Sequence, residues 1–343
     1  MRLALDATYS IGGQLSGVGV YSNEIIRGVA ALRPDWRIAL FYRPHRFLRS
    51  FREPVPVNCR RRPLWESRAS RGIDIFHGLN QRLPAGRWRR RIATFHDLFV
   101  MTGGYSSAEF RRRFTRQARE AADRADLVVA VSSFTAGQVR DLLGVEQARI
   151  RVIPHGVHPP VVSPAVEREK IVLHVGAIQD RKNISRLVRA FEAMPPDWRL
   201  VLAGSSGYGA EKILSEIERS PVRERIDLTG YVPSGALHGL YAKAGIFAFP
   251  SLDEGFGIPV LEAMAWGLPV ITSNRSALPE AGGDAALYVD PLSEVDLADA
   301  LCLLAHDQQE RERLIRRGVE RAKTCSWEKS ARATAAVYEE LAG

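Results

Sequence analysis

The first 159 residues contain no lysine, the whole 343-residue chain has three cysteines, and no apolar run reaches membrane-spanning length. Cys59, Cys302 and Cys325 are odd in number and lack metal-ligand spacing, which excludes a disulfide framework or a cysteine-held metal and points to a reducing compartment. A membrane helix needs roughly 20 apolar residues, and the stretch opening at Met1 meets Asp6 too soon to build the apolar core of a signal peptide. A cytoplasmic protein is the expectation. There is no Asp-x-Asp pair and no carboxylate cluster, the oxygen-rich setting a divalent ion requires, so neither a metal nor another cofactor is expected. Low-complexity tracts and internal repeats are missing too, so any likeness between the two halves is expected in topology alone.

What is present suits a folded enzyme-sized chain. With 45% hydrophobic and 25% charged residues over this length, two domains are expected. The charge is uneven: residues 1–159 carry 27 Arg against 13 acids, a surplus of 14 positive charges. Residues 160–343 carry 21 basic residues against 26 acids, a deficit of five, and the two parts give the net +9. A basic half fits anionic lipid, a diphosphate-bearing acceptor or nucleic acid.

Short apolar runs alternate with longer helical patterns: Leu3–Leu5, Ile38–Phe41, Ile73–Phe76, Ile92–Phe95 and Leu127–Val131, then Ile171–Leu173, Leu200–Leu202, Ile246–Phe249 and Val270–Ile271. This alternation predicts parallel sheet covered by helices, an α/β fold. A Pro-rich break over Pro154–Pro164 divides the two series. The expected division is 1–159 and 160–325, followed by a Ser326-capped terminal helix over 326–343.

The densest chemistry lies in Pro250–Ala265. A strand ends at Phe249, a loop with Gly255 and Gly257 follows, and Pro259 stands where a helix should begin. Backbone N–H groups of Gly255, Phe256, Gly257 and Ile258 at that helix start suit an anion. Glu254 on the loop and Glu262 on the helix, seven residues between them, can each hold hydroxyls of one ligand. A second element agrees: Ile171–Gly176 reads as a strand ending in glycine, and Arg181-Lys182-Asn183 opens the next helix, two cations suited to a diphosphate. Leu202-Ala203-Gly204 is another strand-to-loop turn. In the first half, Ser16-Gly17-Val18-Gly19 follows the first strand and leads to a helix expected near Val20. The second strand runs into Arg43 without the acid a nicotinamide-binding fold places there. His96-Asp97 ends a buried strand.

The Glu254-to-Glu262 stretch, Glu-Gly-Phe-Gly-Ile-Pro-Val-Leu-Glu-Ala-Met-Ala, resembles the signature of family 4 retaining glycosyltransferases, a mannosyltransferase-like group with the two-domain GT-B fold. The resemblance implies two Rossmann-like parallel-sheet domains facing a central cleft, an acceptor-side domain first and a nucleotide-sugar domain second, with the terminal helix crossing back to the first. It assigns Arg181 and Lys182 to the donor phosphates, although Ala177 stands where some members carry Arg. It assigns Thr229-Gly230-Tyr231-Val232, with Tyr231 and Val232 flanking the base, and Gly17, Gly19, Gly176 and Gly204 to close backbone approach. It places His96 near the reacting sugar carbon, making His96, Glu254, Arg181 and Lys182 the expected catalytic set. The implied activity is transfer of a hexose, with mannose from GDP-mannose preferred over a UDP-hexose, to a glycan or polyprenyl-diphosphate-linked acceptor in surface polysaccharide assembly.

Two arginine clusters, Arg87 and Arg89–Arg91 around Trp88, and Arg111–Arg113, Arg116 and Arg119 near Phe110 and Phe114, suit peripheral attachment to an anionic inner membrane face. The alternatives are a nucleotide-sugar epimerase of similar architecture, which would release epimerised sugar, and a non-catalytic nucleotide-sugar-binding protein. A nucleic-acid partner is not expected, since no such motif accompanies the basic half.

Overall fold

The computed structural model describes residues 1–66, 72–160 and 167–343. The end of the Pro-rich break, Val161–Val166 with Pro164, lies outside the described residues. Two compact units emerge. The first comprises Met1–Thr102, Ser107–Gly156 and Ser326–Gly343; the second comprises Gly103–Ser106 and Val157–Cys325. No helix among the described residues is long and apolar enough to cross a membrane.

The first unit is built on seven strands: β1 (Arg2–Asp6), β2 (Arg37–Tyr42), β3 (Cys59–Pro63), β4 (Ile75–Gly78), β5 (Arg90–Phe95), β6 (Leu127–Ala130) and β7 (Ile150–Val152). They pair in parallel in the order β3-β2-β1-β4-β5-β6-β7. Leu3, Leu5, Phe76 and Phe95 are completely buried, as befits strands covered by helices on both faces. Edge strand β3 reads Cys-Arg-Arg-Arg-Pro with Arg60 and Arg62 more open than Cys59, and that polarity hides it from apolar patterning.

The helix expected near Val20 begins three residues earlier, at Gly17. Ser16 caps it, accepting from the Gly19 amide at 3.3 Å, so Gly17 and Gly19 form its first turn rather than a loop. Gly19 is required sterically, because a Cβ there would stand 2.8 Å from the Tyr9 carbonyl oxygen, whereas Gly17 faces open space.

The arginine cluster around Trp88 is not a membrane-facing aromatic patch. Trp88 is buried, its ring 4.4 Å from Phe76 and 5.6 Å from Phe41. Arg90 and Arg91 belong to β5, and Arg89 and Arg90 lie within ion-pair distance of Asp74 and Asp126. Packing of the large apolar indole explains the difference. The Ala108–Arg124 helix keeps its expected form. Phe114, Ala118, Ala121 and Ala122 are buried, Phe110 is exposed, and Arg112, Arg116 and Arg119 face outward.

The Trp327–Ala342 helix is part of the first unit. It lies so close to the Gly17–Leu32 helix that a Cβ on Gly28 would come within 2.5 Å of the Ala331 Cβ. Trp327 and Tyr338 are buried.

The second unit contains β8 (Ile171–Val175), β9 (Arg199–Ala203), β10 (Ile226–Gly230), β11 (Ile246–Phe249), β12 (Val270–Ser273) and β13 (Leu287–Val289). They form a six-stranded parallel sheet in the order β10-β9-β8-β11-β12-β13. Its core joins Leu187, Phe191, Leu202, Ile213, Ile246 and Leu301.

Candidate functional site

In a parallel sheet the ligand crevice lies beyond the carboxyl ends of the strands where the strand order reverses. In the second unit that point falls between β8 and β11. The loops leaving it are Gly176–Asn183 and Pro250–Gly257, the two segments singled out in the sequence. Gly204 directly follows β9, where a Cβ would collide with the Gly176 carbonyl. Tyr231 and Val232 follow β10 at the sheet edge, Tyr231 exposed and Val232 half-buried.

Arg181 and Lys182 sit in a single 3-10 turn ending at Asn183, whose positive φ of 61° starts the Ile184–Phe191 helix. The buried Asn183 amide donates to the Pro250 carbonyl at 3.1 Å and the Pro291 carbonyl at 2.7 Å. The Arg181 carbonyl accepts from the Leu252 amide at 2.8 Å, and the Ser251 hydroxyl oxygen lies 3.0 Å from it. Loops after three strands are therefore tied together. Sequence reading gave Asn183 and Ser251 no role; the clamp depends on contacts between segments distant in the chain.

Glu254 is the centre of this assembly. Its carboxylate pairs with the Arg181 guanidinium at 2.8 Å and with the Lys182 ammonium. It accepts from the Ser251 hydroxyl at 2.6 Å, and its amide donates to Ser276 at 3.0 Å. Lys182 also stands 4.6 Å from the centre of the Phe249 ring, a favourable cation–π position. Burial pushes the Glu254 carboxyl up, but Arg181, Lys182 and the hydrogen bonds outweigh it and hold the group at about 2. It is ionised at neutral pH.

Gly257 begins the Ile258–Ala265 helix with a φ of 108°, and Leu278 would lie 2.8 Å from any Cβ there. Gly255 and Phe256 are buried beside it, and Ile258 is half-buried. Glu262, on this helix, keeps a separate partner: the buried Tyr241 hydroxyl donates to one carboxylate oxygen at 3.0 Å. Burial raises the Glu262 carboxyl, with Tyr241 and His158 lowering it. Tyr241 carries no sequence signal of its own beyond its place on the Ser234–Lys243 helix. Thus Arg181, Lys182 and Glu254 are in direct contact, and Glu262 follows on the helix that their loop opens.

In the first unit the order reverses between β1 and β4. His96 follows β5, is buried, and its Nε2 lies 3.0 Å from the Leu79 carbonyl oxygen. A carbonyl only accepts, so Nε2 carries hydrogen. Burial lowers the His96 imidazole to about 4, leaving it neutral with a lone pair on Nδ1. His77, His155 and His174 are also buried. His174 donates from Nδ1 to the Ala248 carbonyl at 2.9 Å and stacks on Phe249 at 5.4 Å.

Comparison with known proteins finds likeness to sugar transferases. The model "Glycosyl transferases group 1" matches residues 160–321, and "Glycosyltransferase Family 4" matches residues 17–160. The chain is 32% identical to O-antigen chain mannosyltransferase B of Escherichia coli, over 98% of this chain and 99% of that protein. Sucrose-phosphate synthase from Thermosynechococcus elongatus superposes with a TM-score of 0.79 at 23% identity, covering 99% and 98% of the two chains. Anabaena HepE, solved with UDP and glucose, superposes at 0.75 with 18% identity, covering 100% and 99%. At these identities the structural likeness shows the GT-B fold alone.

Proposed function

Because the chain belongs to the group 1, family 4 glycosyltransferases and is a hexosyltransferase of the GT-B fold, we propose that it transfers mannose from GDP-mannose, with retention, during surface polysaccharide assembly. The acceptor is a glycan or its polyprenyl-diphosphate-linked precursor. The observation that carries the reading is the gathering of Arg181 and Lys182 around Glu254 at the reversal point of the second sheet. Breaking the bond from the anomeric carbon to the phosphate oxygen leaves negative charge on the diphosphate, and fixed cations in a buried setting stabilise that charge best.

Glu254 does not supply a proton, since its carboxyl is held at about 2. In our reading attack is front-face: the acceptor oxygen bonds to the anomeric carbon on the face the phosphate leaves, and the departing phosphate oxygen takes the acceptor's proton. As the diphosphate engages Arg181 and Lys182, the Glu254 oxygens turn to sugar hydroxyls. Glu262, fixed at one oxygen by Tyr241, offers the other to the ribose. His96 accepts from a substrate hydroxyl at Nδ1.

Mannose and the polysaccharide setting are supported by the names of two relatives, the E. coli protein above and O-antigen chain mannosyltransferase RfbU of Salmonella typhimurium, 29% identical over 51% of this chain. A UDP-hexose is the second reading, favoured by the UDP and glucose in HepE. Thermal-shift measurements with GDP, GDP-mannose, UDP and UDP-glucose separate them, since a ligand at 100 times its Kd stabilises by about 2.7 kcal/mol. Stabilisation by UDP alone replaces mannose with a UDP-hexose; no stabilisation by any of the four removes the nucleotide-sugar site. The outward arginines of the Ala108–Arg124 helix, beside exposed Phe110, provide the surface for anionic headgroups. Equal sedimentation with neutral and anionic liposomes at low salt would remove that surface from the account.

A further inference from the structure

Four polar side chains of the first unit form a continuous buried chain. The Tyr338 hydroxyl is 2.6 Å from His77 Nδ1, His77 Nε2 is 2.8 Å from Thr94 Oγ1, and Thr94 Oγ1 is 2.9 Å from the Tyr21 hydroxyl. All four residues have 0% exposure. Burial holds His77 neutral, at about 3, with His96 adding to the effect. A neutral imidazole donates from one nitrogen and accepts at the other, so either Tyr338 donates to His77 and His77 to Thr94, or Thr94 donates to His77 and His77 to Tyr338; a further hydrogen bond joins Thr94 to Tyr21. Apolar residues of matching shape would fill this volume at little cost; a fully paired polar row instead fixes a single arrangement of its members.

The chain ends on the ring that supports His96. Tyr21 meets His96 edge to face, with centroids 4.7 Å apart and planes at 80°. His155 stacks on His96 at 5.5 Å and 21°. His155 in turn lies 5.6 Å from Trp327, the first residue of the helix that carries Tyr338. Two lines of contact to His96 thus lead back to one helix, one through hydrogen bonds from Tyr338 and one through stacked rings from Trp327. With Nε2 committed to the Leu79 carbonyl, rotation of the ring is the remaining freedom, and these contacts remove it.

We propose that Tyr338 is a positioning residue for His96, acting through His77, Thr94 and Tyr21 to hold the imidazole with its Nδ1 lone pair presented to a substrate hydroxyl. The proposal rests on that role of His96 in the proposed function. Tyr338→Phe and Thr94→Val cut the chain at two places, while Thr94→Ser keeps the hydroxyl. With GDP-mannose as the probe, the first two should lower kcat about tenfold and leave the donor KM within twofold; Thr94→Ser should leave both unchanged.

Long-range proton–nitrogen spectra of protein with 15N-labelled histidine, recorded without any donor, read the ring directly. His96 should show one Nε2–H tautomer in the wild type and in Thr94→Ser, and shifted or broadened signals in Tyr338→Phe and Thr94→Val. A wild-type His96 protonated on Nδ1, or a His96 spectrum that neither cut disturbs, overturns the proposal even if the melting temperature falls. Absence of GDP-mannose turnover would count against the donor assignment instead, because the spectra need no ligand.

Discussion

Glu254→Gln separates the structural and functional roles of the central cluster. The substitution removes a carboxylate from between two cations whose side chains are about nine-tenths buried. Removing one partner of a buried ion pair costs about 3–5 kcal/mol, because the remaining charge stays desolvated. The Gln carbonyl still accepts from Ser251, so the lower end, about 3 kcal/mol, applies. In a unit of this size each kcal/mol corresponds to about 2–4 °C, and the ligand-free melting temperature should fall by about 6–12 °C. Nucleotide binding should move the other way. In the wild type a diphosphate competes with Glu254 for Arg181 and Lys182; in the variant those cations await an anion. The rise in melting temperature with saturating GDP should therefore exceed that of the wild type, and calorimetry should show tighter GDP binding, while transfer falls about 10²-fold. A variant that melts within 2 °C of the wild type and binds GDP no more tightly would refute the idea that Glu254 restrains the two cations.

Acid should destabilise the first unit early. Burial lowers His77, His96 and His155, and in the second unit His174, below the unfolded value of 6.5. As pH falls below 6.5 the unfolded chain takes up protons that the folded chain refuses, so stability is lost from about 6.5 down to about 4 for His96 and His174 and about 3 for His77. The unfolded imidazole is only half protonated at pH 6.5, so each group costs about 1 kcal/mol between pH 6.5 and 5.5, and the three groups of the first unit amount to about 3 kcal/mol; circular-dichroism melts that stay level over this range would contradict their burial as neutral rings. Glu254 acts in a lower window, since its contribution is complete above about 4.5 and is lost as pH falls towards about 2. Tyr241→Phe removes the hydrogen bond to Glu262, worth about 1 kcal/mol, and should weaken nucleotide binding about fivefold by calorimetry with kcat unchanged. An unaltered Kd would detach this pair from the nucleotide.

The sheets were legible where strands are apolar and central. Leu3–Leu5, Ile92–Phe95 and Ile246–Phe249 announce themselves by uninterrupted hydrophobicity, the mark of strands covered on both faces. Edge strands β3, β7, β10 and β13 are hidden, β7 and β13 being three residues long and β3 and β10 broken by polar side chains, as in Cys59–Pro63 and Ile226–Gly230. Within the site, Glu254, Arg181 and Lys182 stood out because their charges sit beside loop glycines. Ser251, Asn183 and Tyr241 did not, because a serine, an asparagine and a tyrosine are unremarked until folding brings a carboxylate or carbonyl within reach. Trp88 shows the converse: neighbouring arginines in sequence suggested a surface, but the sheet turns its indole inward.

The first unit is interrupted in the chain, since Val157–Cys325 separates Gly156 from the closing helix over Trp327–Ala342. On a ribosome adding about 5–20 residues per second, the early sheet waits many seconds for that helix, with the ledge at Gly28 uncovered and His77 lacking its tyrosine. A chaperone that shields this face during synthesis would hold the nascent chain soluble until Ala331 arrives, and a chain cut after Cys325 would leave the ledge bare for good.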